Sequence, residues 1–112
     1  MSRPTRLLPE ARQEFLALNE KDQTAVAQAI DKLQLYGEHL GAPHSSKVLG
    51  SHPPLWELRP TSGRNPWRVL YRRIGDEMVL AAIGKDAEID RRGFARAVSQ
   101  AQQRLARSAG EP

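Results

Sequence analysis

The chain contains no cysteine, which excludes a disulfide framework, a thiolate zinc site and a cysteine nucleophile together. Aromatic residues make up only 5%, so the core has to be built mostly from Leu, Val, Ile and Ala. No apolar run approaches the length of a membrane span, and the N-terminal MSRPTRLLPEARQEF has too short an apolar stretch for a secretory signal. A soluble, cytoplasmic protein with no membrane partner is expected. Gly37, Gly41 and Gly50 are too scattered to form a phosphate-cradling loop, which argues against nucleoside-triphosphate chemistry. His39, His44 and His52 match no familiar ligand spacing, so neither a metal nor a small-molecule cofactor is expected. One further absence is local: between Leu58 and Gly75 the chain has five arginines and no acid.

At 112 residues the chain is large enough for one hydrophobic core and too small for two, so residues 1–112 are read as a single domain. The net charge of +4 is unevenly spread. Residues 41–75 carry +5 (Lys47 and five arginines against Glu57), and residues 91–112 carry +4 (five arginines against Glu111). Residues 76–90 carry −4 and residues 1–40 carry −1. Positive charge gathered in one hairpin and one helix suits a binder of polyanions. For the helix, Arg91, Arg92, Arg96, Arg104 and Arg107 are read first as a solvated face.

The periodicity predicts an α+β fold. Arg3 to Leu8 suits an edge strand, and Pro9 suits the first position of a helix carrying Ala11, Phe15 and Leu18 at helical spacing. Asn19 caps a second helix reaching about Tyr36, with Val26, Ile30 and Leu33 on one face and Gly37 as its stop. These two helices form an antiparallel pair. Residues 38–54, with Gly and Pro at 41, 43, 50 and 53, read as a crossing loop.

From Leu55 the period changes to two. Strands are expected at Trp56–Arg59, at Trp67–Ile74 and at Met78–Gly84, joined by PTSGRNP and by a tight Gly75-Asp76 turn. The last strand is apolar on both faces and therefore central. Asp90 caps a C-terminal helix whose Phe94, Ala97, Val98, Ala101 and Leu105 form an apolar stripe. The sheet is thus a small, mostly antiparallel meander with two N-terminal helices packed on it and a C-terminal helix.

If Trp56, Leu58, Trp67, Val69 and Tyr71 cover the helix pair, Arg59, Arg68 and Arg72 project from the other face and converge, with Leu70 exposed beside them. Crowded guanidinium groups repel unless an anion satisfies them, and phosphate matches their forked donors well. Glu57 can pair with only one of them. A nucleic-acid backbone would relieve that tension with release of counterions. His44 and His52 lie in the crossing loop and are read first as solvated, and Tyr71 as core.

LWELRP, then PWRVLYRR, then a hydrophobic strand ending in Lys85, then an amphipathic helix, resembles the phage Gp49-like and HigB branch of the RelE toxin superfamily over roughly residues 9 to 105. The resemblance implies the RelE-like fold and the toxin of a toxin–antitoxin pair, a ribosome-dependent endonuclease of messenger RNA silenced by a helix-turn-helix, HigA-like antitoxin. It also leaves open a non-enzymatic toxin such as a ParE-like inhibitor of DNA gyrase, since fold does not settle function. Position by position it implies Arg59, Arg68 and Lys85 as catalytic residues. Lys47, Arg64, Arg72, Arg73 and His52 are expected to contact RNA. Asp86 departs from the pattern, standing where many members carry a second lysine. Replacing Arg68 is expected to remove activity without unfolding the chain.

Overall fold

The structure is a computed structural model that describes residues 2–108, so Glu111, counted above in the C-terminal charge, lies outside the described residues. The elements are β1 (Thr5–Leu7), α1 (Pro9–Leu16), α2 (Glu20–Tyr36), β2 (Ser45–Lys47), β3 (Trp56–Leu58), β4 (Trp67–Ile74), β5 (Glu77–Lys85) and α3 (Arg91–Ser108), with 3-10 turns at Gly37–His39 and Pro60–Gly63. One sheet runs β1-β5-β4-β3-β2. β1 lies parallel to β5, and the remaining neighbours are antiparallel. The expected α+β arrangement forms, with one strand that the sequence hid. Ser45–Lys47 sits inside the stretch read as a crossing loop, and SSK has no apolar alternation to reveal it. Pairing with β3 makes it a strand, with Ser45 opposite Leu58 and Lys47 opposite Trp56.

Local signals start and stop the helices. Pro9 opens α1, whose first turn carries Glu10. The Asn19 side chain accepts the Asp22 amide at 2.8 Å to start α2, and Gly37, at φ 57°, ends it. Asp90 Oδ1 accepts the Gly93 amide at 2.9 Å just ahead of α3.

The sheet is covered on both sides. Val26 and Leu33 of α2 pack against Leu58, Val69, Tyr71, Met78 and Leu80, forming one core layer. Leu70, Val79 and Ala82 meet Ala97, Ala101 and Leu105 of α3 in the other. Leu70 is opposite Ala82 while Tyr71 is opposite Leu80, which leaves Ala81 unpaired in a β-bulge. The extra residue puts Ala81 and Ala82 both on the α3 side, so the side-chain parity of β5 changes at that point.

This arrangement corrects the expectation that the second sheet face is bare. α3 lies across it, and Leu70, expected to be exposed, is fully buried. Hiding each such leucine contributes roughly 1.5–3 kcal/mol, which the α3 stripe supplies a surface for. The helix is also fastened electrostatically: Arg104 donates to both Glu14 oxygens, at 3.0 and 2.9 Å, and to the Ala81 carbonyl at 2.9 Å, while Arg107 pairs with Glu10 at 2.7 Å. Two of the helix arginines read as solvated therefore tie α3 to α1.

At Gly84 α3 comes close against β5. A Cβ there would stand 2.7 Å from the Ala97 Cβ, so Gly84→Ala is expected to cost about 1–3 kcal/mol by overpacking, read as a lower urea midpoint. At another corner Glu38 bridges Arg3 at 2.9 Å and Arg73 at 3.0 Å. Hydrogen bonding to Arg3 holds the Glu38 carboxyl down at about 2. Because the folded value is the lower one, its stabilisation is complete above the ordinary value of 4.5 and is lost as pH falls towards about 2. The melting-temperature gap between wild type and Glu38→Gln should therefore close across that acid window and stay constant above it.

Candidate functional site

The register of β3 and β4 brings four alternating charges to one end of the sheet. Glu57 stands opposite Leu70 and Leu58 opposite Val69, so Arg59 comes next to Arg68, and Arg68 itself is opposite Gly84 on β5. Arg68 is 1% exposed. Its Nη1 donates to the carbonyls of Asn65 at 2.7 Å and Trp67 at 2.9 Å, and its Nη2 to the Gly63 carbonyl at 3.2 Å and Asp86 Oδ2 at 3.0 Å. Glu57 Oε1 lies 3.7 Å from Arg68 Nε and 3.8 Å from Arg59 Nη1. Burial pushes the Glu57 carboxyl above its ordinary value, outweighing the pull of Arg68 and Arg59. The Nε atoms of Arg59 and Arg68 are both buried without a hydrogen-bond acceptor among the described residues.

The turn between β3 and β4 is strained. Thr61 and Ser62 adopt φ of 55° and 53°, the left-handed region, at a cost on the order of 1–3 kcal/mol each. The Arg68 bonds to Gly63 and Asn65 hold that turn from beneath. Asn65 and Trp67 also donate to the Asp22 carboxylate, at 3.0 and 3.1 Å, which ties the start of α2 to the same segment.

Beside the cluster opens a cleft of 340 Å³ between α2 and this turn, lined among others by Gln28, Lys32, His44, Arg59 and Arg64. Among the described residues, none that lines it is acidic. The Arg59 amide donates to the His44 carbonyl at 2.8 Å, which sets these residues side by side at the end of β2 and β3. Three cationic side chains and an imidazole around one concavity focus a positive field.

The other residues singled out from sequence are dispersed. Lys85 is exposed at the end of β5, with Nζ 5.5 Å from the centroid of the Trp67 ring. Arg72 does not converge with Arg59 and Arg68: its Nε donates to the Pro54 carbonyl at 3.0 Å, and its Nη2 to the Pro53 carbonyl at 3.0 Å and to Gln102. It braces a loop against α3 because α3, and not solvent, covers that face. Arg73 is exposed at the Glu38 corner, Lys47 lies exposed at the edge on β2, and His52 is exposed in a bend. Sequence reasoning missed Lys32 and read His44 first as solvated, whereas both line the cleft. Gln28 and Lys32 share a face of α2 at a spacing of four, a legible signal, whereas His44 comes opposite Arg59 only through the unforeseen β2.

A family model described as phage-derived protein Gp49-like matches residues 13–106. No curated protein matches the chain by sequence. Among solved structures, the E. coli toxin RelE, as a double mutant in the free state, is similar over 88% of this chain and 97% of that one, at 18% identity and a TM-score of 0.53. That likeness shows a shared fold, and the family match spans most of the sequence. This chain belongs to the phage-derived Gp49-like family, and it shares the fold of the RelE structure.

Proposed function

We propose that the chain is the toxin of a toxin–antitoxin pair and cuts messenger RNA on the ribosome. The observation that supports this most directly is the cleft in which Lys32, His44, Arg59 and Arg64 gather without a carboxylate among its lining residues. In RNA cleavage the ribose 2′-hydroxyl attacks the adjoining phosphate, charge builds on the phosphoryl oxygens, and the 5′-oxygen leaves. Arg59 is the catalytic cation in this reading, because it reaches both the cleft and the charge cluster and keeps 34% of its side-chain surface open. Arg64 and Lys32 hold flanking phosphates, with Lys85 beside Trp67 as an outlying contact and Lys47, Arg73 and His52 as distant ones. Arg68 acts as a positioning residue: its guanidinium sets the turn that carries Arg64 and fixes Glu57. The natural silencing partner is an antitoxin with a helix-turn-helix and an acidic segment that fills the same cleft.

Expression of wild type and variants in a bacterium lacking the locus, with transcript ends mapped, tests this reading. Arg59→Ala should lower cleavage by about 100- to 1000-fold while folding is kept. Arg64→Ala should weaken RNA binding and reduce its salt slope by about one. Arg68→Ala should instead unfold the protein, costing roughly 3–5 kcal/mol, because it leaves buried carbonyls and carboxylates without their cation. That revises the sequence expectation that Arg68 could be removed with folding intact. Growth arrest with intact transcripts and loss of DNA supercoiling would overturn the nuclease reading.

A further inference from the structure

Cleavage by a ribose hydroxyl needs a group to accept its proton, and His44 and His52 both lie outside the strands. Glu57 is the carboxylate that the fold sets between Arg68 and Arg59, the latter a lining residue of the cleft. Neither cation closes on it: separations of 3.7 and 3.8 Å are beyond hydrogen-bond reach. A cluster built only for stability would close those gaps, since the Nε–H groups of Arg59 and Arg68 are buried and lack acceptors among the described residues. Arg68 has already spent its other nitrogens on three carbonyls and Asp86. Glu57 keeps 16% of its side-chain surface open beside the 34% of Arg59, so the carboxylate is shielded yet reachable.

We propose that Glu57 is the proton acceptor of the reaction, taking the hydrogen of the attacking 2′-hydroxyl while Arg59 holds the adjoining phosphodiester. This rests on the nuclease reading above. The 2′-oxygen forms a bond to phosphorus, the bond from phosphorus to the 5′-oxygen breaks, and the leaving oxygen takes a proton from water. Glu57 then returns its proton to solvent, leaving a 2′,3′-cyclic phosphate and a 5′-hydroxyl with no other reactant consumed.

The charged and polar groups that face Glu57 are Arg59 beyond β3, Arg68 on β4, Asp86 after β5 and Ser46 on β2. Desolvation and Asp86 raise its carboxyl, and the arginines and Ser46 lower it, with a net rise above 4.5. The rate should therefore fall on the acid side with a slope of one.

Single-turnover cleavage of a 5′-labelled message programmed on ribosomes, followed from about pH 4 to pH 8.5, is the test. Glu57→Gln should slow cleavage by about 100-fold or more, abolish the acid limb and leave RNA affinity unchanged. Glu57→Asp should keep the limb at a reduced rate. A purely structural role would lower the melting temperature and leave the limb in place, which overturns the proposal, as would a His44→Gln variant that removes the limb. If Glu57→Gln fails to fold, the wild-type profile decides: a rate with no acid limb down to about pH 4 rejects Glu57, and an acid limb that persists in His44→Gln supports it. Wild type that leaves the message uncut rejects the nuclease reading itself.

Discussion

The burial of one guanidinium organises this end of the molecule. Arg68 lies at 1% exposure where the turn after β3, the start of β4 and the end of β5 meet, and its donors reach carbonyls on either side of that turn as well as Asp86. A buried charge is tolerated only when it is paired and hydrogen-bonded, so the turn cannot drift without stranding it. Two consecutive non-glycine residues in left-handed geometry persist above it for that reason. Arg59 and Arg64, which flank the turn, take their positions from that restraint. Asp86 is the counter-charge that makes the burial possible.

A second constraint comes from β5. Its sequence MVLAAIG places large residues towards α2 and small ones towards α3, and the bulge at Ala81 is what sorts them. Ala82 and Gly84 let α3 lie close, and the arginines of α3 fasten it to α1 across the sheet edge. The sheet is therefore a middle layer. The cationic cleft accordingly opens beside the turn between β3 and β4 rather than on a sheet face.

Much of this was legible in the sequence. The helix caps at Asn19 and Asp90, the stop at Gly37 and the period-two strands from Trp56 onward all carry local signals that the fold respects. Three things were not. β2 is specified by pairing rather than by side chains, since SSK carries no pattern of its own. The stacking of α3 on Leu70 needs knowledge of which sheet face a terminal helix chooses, and alternation along one strand reports only that two faces exist. The pairing of Asp86 with Arg68 joins residues 18 apart across a hairpin, so the run of arginines without acids looked unneutralised although its counter-charge lay beyond the next strand. The cluster at Arg59 was visible as charge; its depth and its partition from Arg72 were matters of layering.

Asp22 gives the cleft a mechanical property. The Asn65 amide and the Trp67 indole both clamp onto this one carboxylate, whose own backbone is capped by Asn19 at the first turn of α2. The helix bearing Lys32 and the turn bearing Arg64 are thus two jaws hinged on a single pin. Their gap is held by the same contacts that start α2, so a ligand entering it would find walls already set and would surrender little ordering entropy on contact.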